Sequence, residues 1–254
     1  MASSSQVAIV TGGNSGMGMG IVRRLVEKGW RVAIADINDN KEFANELGSA
    51  SSFHKCNVAD YDRYVVCNGR WYEGLIDRSQ AEMFQQVWDL YGRIDALCAN
   101  AGIVDRRCVD LQYSEKTLTR IVPFSYLSIE TQTSKLACCQ KVNLLTIGRI
   151  PPKPDLLCTD VDYKGVVYGT QLAIHFMRKN KVPGGKIVAT ASAAAIVPHE
   201  TYPEYDGAKA AVVNFVRATA RVLKDVSRVN VRPANEGADR TQEGEHYHQH
   251  SVSR

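Results

Sequence analysis

Short apolar runs alternate with longer segments of helical period along most of this chain. VAIV (7–10) has the length of a strand. The glycine-rich stretch TGGNSGMGMG follows, then IVRRLVEKG, where Ile21, Val22, Leu25 and Val26 share one helical face and Gly29 marks the stop. RVAIAD (31–36) predicts a second strand and SSFHKCNV (51–58) a third. In SQAEMFQQVWDLYG (79–92), Ala81, Phe84, Val87, Trp88 and Tyr91 line one face of a helix. RIDALCANAG (93–102) predicts a strand running into a small-residue turn. VDYKGVVYGTQLAIHFMRKN (161–180) predicts a long helix, GGKIVATASAAA (184–195) a strand, 203–224 a helix and RVNV (228–231) a sixth strand. Strands alternating with helices predict an α/β fold, a doubly wound parallel sheet with helices on both faces. The expected arrangement is a single Rossmann-like domain over residues 1–232.

Two stretches break the rhythm. Residues 63–78 stand where a short loop would join the third strand to the next helix. Residues 106–150 have no clear period and carry three cysteines. Compact α/β domains seldom need structureless connections that long. The segment 233–254, PANEGADRTQEGEHYHQHSVSR, is polar and reads as a disordered tail.

Composition narrows the function classes. The 254 residues are 44% hydrophobic and 23% charged, which fits a globular domain with a buried core. A dispersed net charge of +4 gives no basic footprint for nucleic acid, and no apolar run is long enough to span a bilayer. The first residues, MASSSQVAIVTGG, lack the pattern of a secretion signal, so the expectation is a cytoplasmic protein. The seven cysteines form no paired framework and read as free thiols. His246, His248 and His250 alternate in the polar tail and read as incidental rather than as a metal site.

The turn TGGNSGMG (11–18) carries the first chemistry. It follows a strand and opens a helix, with Gly12, Gly16 and Gly18 in the spacing G-x-x-x-G-x-G. Glycines permit a tight turn and a close approach to a pyrophosphate, and the helix N-terminus offers N–H groups and partial positive charge. Asp36, ending the next strand, can accept hydrogen bonds from both ribose hydroxyls of an adenosine and would repel a 2′-phosphate. The expected cofactor is therefore NAD, with NADP second.

Tyr205 and Lys209 in YPEYDGAKA (202–210) carry the second. They lie four residues apart and so share a helix face. An unperturbed phenol has a pKa of about 10, and a neighbouring cation lowers it towards neutrality, where it can move protons. A solvated helix face is the plain alternative.

TGGNSGMG, Asp36, CANAG (98–102), Ser192 in ATASAAA and Tyr205-x-x-x-Lys209 together resemble the short-chain dehydrogenase/reductase family. The wording of TDVDYKGVVYGTQLA and PHETYPEYDGAKAA is similar to 15-hydroxyprostaglandin dehydrogenase-type and fungal members. The resemblance implies a hydride transfer between the nicotinamide and a secondary alcohol or ketone. It implies Tyr205 as general acid/base, Lys209 as its modulator and ribose ligand, and Ser192 as holder of the substrate oxygen. It assigns Gly12, Asn14, Ser15, Gly16, Met17 and Gly18 to the pyrophosphate turn. Asp36, Asn57 and Val58 fall to the adenosine, with Val58 against adenine. Asn100, Ala101 and Gly102 fall beside the cofactor. Ile196, Val197 and Pro198 would line the substrate side, with His199 near its mouth. A homodimer or homotetramer through the two long helices is a further implication.

Three departures qualify the resemblance. Where family members carry an Asn in the helix before the Ser192 strand, which helps a water-mediated proton relay, this chain has Asp162. After RVNV there is no Pro-Gly turn, lid helix or last strand. The two irregular stretches interrupt the family pattern, and the leading reading is unspliced intron sequence or a frameshift. The alternative is functional insertion, for instance an interaction surface around 122–130. A catalytically impaired dinucleotide-binding or interaction protein remains the competing function, and a chain that does not fold stably is the third reading.

Overall fold

Every residue of strand β1 (Val7–Thr11) is buried, which places it at the centre of a sheet covered on both faces. In the computed structural model the described residues are 5–61, 64–67, 70–73, 79–104, 155–199, 202–223 and 229–233. After β1 come helix α1 (Gly16–Glu27), strand β2 (Arg31–Asp36), helix α2 (Lys41–Leu47) and strand β3 (Ser51–Lys55). A separate antiparallel pair, β4 (Tyr64–Cys67) and β5 (Arg70–Glu73), precedes helix α3 (Gln80–Tyr91) and strand β6 (Ala96–Ala99). Helix α4 (Gly165–Lys179) is entered through a π-helical turn, Asp160–Lys164. Strand β7 (Gly185–Ala189), helix α5 (Pro203–Leu223) and strand β8 (Val229–Pro233) follow.

The main sheet has six strands in the order β3-β2-β1-β6-β7-β8, and all pairings are parallel. The predicted doubly wound fold is therefore present. Chain order reverses direction between β1 and β6, so the crevice of this sheet opens at their C-terminal ends. On one face Val10, Val22, Val32, Ile34 and Phe43 join α1 and α2 to the strands. On the other, Phe84 and Val87 of α3, Val166 and Phe176 of α4 and Val212 and Val216 of α5 form the larger core. Phe84 and Phe176 stack with centroids 5.9 Å apart.

Several expectations need correction. The strand expected over 184–195 ends at Ala189, and Ser192 instead opens a 3-10 turn, Ala193–Ala195. The strand expected over 51–58 ends at Lys55, so Asn57 and Val58 lie in a turn. Helix α2 was not foreseen, because seven residues give too short a window for periodicity. The stretch 63–78 is not wholly irregular, since it holds the β4–β5 pair. Pro233, taken as the first tail residue, ends β8 in register with Ala189. Residues 106–150 and the three tail histidines lie outside the described residues.

Candidate active site

The turn after β1 lies directly on the turn after β6. Gly12 has φ +64°, and a Cβ there would stand 2.9 Å from the Ala101 Cα. A Cβ at Gly18 would run into the Gly12 carbonyl and stand 2.8 Å from Asn100 Nδ2. The N-terminus of α1 packs against β1 and β6 because both positions lack a side chain. Ser15 is the extended N-cap residue, but its side chain makes no capping hydrogen bond, and Gly16 beside it has φ +49°. The first-turn amides are left uncapped by that side chain, as an anion-accepting helix end requires. Met17 sits over this turn, 71% exposed.

Beside it opens a cavity of about 450 Å³, lined in part by Asn14, Ser15, Asp36, Asn38 and Lys41. Asp36 is nearly buried at the end of β2. Its Oδ2 accepts the Asn14 N–H (3.1 Å) and its Oδ1 the Asn38 N–H (3.1 Å). Asn14 Nδ2 donates to the Asn38 carbonyl at 2.7 Å, and Asn40 Nδ2 to the Asn14 carbonyl at 3.2 Å. These bonds brace the glycine turn against the loop after β2. A carboxylate has about four acceptor positions, and two are used, so Asp36 can still receive a pair of ribose hydroxyls. The donor-rich helix end, the cavity beside it and the remaining acceptors together fit a dinucleotide.

Other expected cofactor residues are placed differently. Asn57 is committed to its own turn, donating to Asp60 (2.9 Å) and accepting from the Ala59 N–H (3.2 Å). Val58 is buried, and its Cγ2 is 3.0 Å from where a Cβ on Gly165 would lie, so it packs on the start of α4. Asn100 bridges three strands: its N–H and Nδ2 reach Thr11 (2.9 and 3.3 Å), and its Oδ1 accepts from the Thr190 hydroxyl at 3.1 Å.

Tyr205 and Lys209 do share a face of α5, with Lys209 Nζ 5.6 Å from the centroid of the Tyr205 ring. Lys209 points inward. Its Nζ donates to the Thr190 carbonyl (3.1 Å) and lies 2.9 Å from Asp162 Oδ2. The two side chains of this ion pair are 4% and 0% exposed. Ser192, two residues beyond Thr190, accepts the Ala194 N–H at 3.2 Å, and its 3-10 turn packs against α5. Ser192, Tyr205 and Lys209 are thus brought to the crevice end of the sheet.

The sequence marks Asp162 as an acid where family members carry Asn but does not bring it to Lys209; the fold does. The π-helical turn carries it beneath Gly102, whose added Cβ would stand 3.0 Å from Asp162 Oδ2 and 3.2 Å from Lys209 Nζ. Asp162 Oδ1 accepts the Ile103 N–H at 2.8 Å. His199 is fastened to Asp206, which accepts both its backbone N–H and its Nδ1. Ile196 and Val197 are exposed, at 83% and 67%. Among the described residues no cluster of His, Cys, Asp and Glu could hold a metal ion, and no helix is long and apolar enough to cross a membrane.

The short-chain dehydrogenase/reductase prx6 of Penicillium rubens is 36% identical over 239 residues, covering 89% of this chain and 65% of that protein. The 3beta-hydroxysteroid dehydrogenase 2 of Eggerthella lenta is 26% identical, covering 87% of this chain and 66% of that protein. A 3-oxoacyl-[acyl-carrier protein] reductase from Brucella melitensis has the same fold, with a TM-score of 0.62 at 23% identity over 91% of this chain and 75% of that one. The fungal part of the narrower resemblance is met by these relatives; the 15-hydroxyprostaglandin part is not supported by them. The chain spans between half and two thirds of the length of curated relatives that it matches. The family described as short chain dehydrogenase matches residues 6–68 and 157–249, more than half of the sequence and running past β8 into the stretch taken as tail, and the chain belongs to that family.

Proposed function

We propose that this chain is an NAD-dependent oxidoreductase acting on a secondary alcohol or its ketone. The observation that carries the reading is the convergence of Tyr205 and Lys209 on the crevice end of the sheet, opposite the glycine turn and Asp36. The nicotinamide, when bound, supplies the hydride acceptor or donor. Gly12, Asn14, Ser15, Gly16, Met17 and Gly18 hold the pyrophosphate side, with Ala101 and Gly102 under the nicotinamide half. Asp36 binds the adenosine ribose through the acceptor positions left over by Asn14 and Asn38. Asp39 and Glu42 with Asp36 outweigh the single cation Lys41 in the lining of the cavity, which favours NAD over a cofactor bearing a 2′-phosphate.

At the reacting centre, Ser192 donates its hydroxyl hydrogen to the substrate oxygen and Tyr205 takes the alcohol proton. In the opposite direction Tyr205 returns that proton to the carbonyl oxygen. Lys209 is held by Thr190 and Asp162 close to the phenol, where its charge favours the phenolate. The reading is supported by the relatives, which are named dehydrogenases and reductases.

Thermal melting of the purified chain with NAD, with NADP and without ligand tests cofactor choice. Ligand at a hundred times its dissociation constant stabilises a binder by about 2.7 kcal/mol. A clear rise with NAD and little with NADP is expected. Turnover of secondary alcohols that vanishes in Tyr205→Phe would establish the chemistry. Cofactor binding without turnover would favour the dinucleotide-binding protein instead.

A further inference from the structure

The Asp162–Lys209 pair is costly as a purely structural device. Two charges removed from water lose hydration, which their attraction recovers only in part. The fold nevertheless builds the pair with care. A π-helical turn carries Asp162, turns of this kind often stand at functional sites, and Gly102 leaves just enough room above it. Asp162 Oδ1 is anchored by the Ile103 N–H, so Oδ2 is fixed facing Lys209.

We propose that Asp162 is a positioning residue that holds the Lys209 ammonium and offsets its charge, and so sets the pH range in which Tyr205 exchanges its proton. This rests on Tyr205 being the proton-transfer group. The neighbouring ionisable groups have other partners, and Asp162 is in direct ion-pair contact with Lys209. On the π-helical turn, Asp160 pairs with Lys164 at 2.8 Å. Just before it, the Cys158 thiol donates to the Ile103 carbonyl at 3.3 Å. On α5, Glu204 accepts the Thr159 N–H and Asp206 holds His199. Just beyond β7 the neutral Thr190 carbonyl accepts from Lys209. Tyr163, on the same turn, packs edge-on against Phe215.

The test follows the phenolate absorbance of Tyr205 in the cofactor-free chain, taken as the difference between each protein and its Tyr205→Phe counterpart. In Asp162→Asn the ammonium is no longer offset, and phenolate should form at a pH lower by about one to two units than in the wild type, from a unit charge at this range in a medium of intermediate dielectric. Asp162→Glu should titrate as the wild type does. If Asp162→Asn does not fold, the double variant Asp162→Asn/Lys209→Met, which removes both charges, carries the test. Compared with Lys209→Met, in which Asp162 stands without the ammonium, the double variant should form phenolate at a lower pH. Equal titration of these two, or an unchanged titration in folded Asp162→Asn, would overturn the proposal. The readout needs neither NAD nor substrate, so its failure is distinct from failure of the proposed reaction. Where turnover is present, the pH profile of kcat/KM should move with the absorbance.

Discussion

Thr11 holds Asn100 twice, accepting its backbone N–H on Oγ1 at 2.9 Å and its Nδ2 on the carbonyl oxygen at 3.3 Å. The same hydroxyl also accepts the Ala101 N–H at 3.0 Å. One side chain therefore ties the glycine turn after β1 to the turn after β6. Thr11→Val keeps the shape and removes the acceptor, leaving two N–H groups without it in a buried place. The expected loss is about 1–3 kcal/mol in urea unfolding. Stabilisation by NAD should shrink as well, because the two turns flank the cofactor crevice. An unchanged unfolding midpoint would mean that water replaces the hydroxyl there.

Gly18→Ala tests the same junction by overpacking. The added methyl meets the Gly12 carbonyl and Asn100 Nδ2, both held by neighbouring strands. Backbone must shift to admit it, at a cost of about 1–3 kcal/mol. Stability measured without ligand should fall, and the melting rise with NAD should disappear. Gly20→Ala is the control, since nothing lies within 4 Å of a Cβ at that position. Equal behaviour of the two variants would remove the steric argument.

The parts of this protein that could be read from the sequence were those set by a strong local signal. Strand runs such as VAIV and RVAIAD are apolar because both sheet faces are covered, and they appear where expected. Gly12 and Gly18 were readable because only glycine fits against a neighbouring backbone. Strand ends were not, because Ser192 continues an apolar pattern after pairing with β6 has stopped at Ala189. The role of Asn100 was hidden for a similar reason. Its side chain bonds to Thr11 and Thr190, each about ninety residues away in sequence. Asp162 gave a visible signal, an acid in place of an amide, but its partner could be found only by the turn that brings it to Lys209.

Cysteine chemistry follows from burial. Loss of hydration pushes the Cys56 thiol up to about 12, with Asp60 and Asp36 adding to the effect, and pushes Cys98 up to about 11. At about pH 8 both are almost wholly protonated, and the thiolate is the reactive form. Mass spectrometry after brief alkylation of the native chain should find Cys56 and Cys98 unmodified, and both modified in denaturant. Rapid native labelling of either would show that the structure around it opens readily.

His54 makes stability depend on pH in a direction that can be worked out. Its ring lies between Ser52 Oγ (2.9 Å) and Gln86 Oε1 (3.1 Å) on β3, next to α3. Burial lowers its pKa, against a smaller raising effect of the Gln86 acceptor. The unfolded chain has the ordinary value of about 6.5. Between the lowered folded value and about 6.5, the unfolded state therefore binds more protons than the folded one. Stability then rises with pH across that window, is fully present above about 6.5, and declines as pH falls below it. In His54→Gln this contribution is absent. The difference in melting temperature between about pH 7.5 and pH 5.5 should be smaller in the variant than in the wild type, since the remaining ionisable groups are common to both. Parallel curves would show that His54 binds its proton equally well in both states, and that Ser52 and Gln86 accommodate the charged ring.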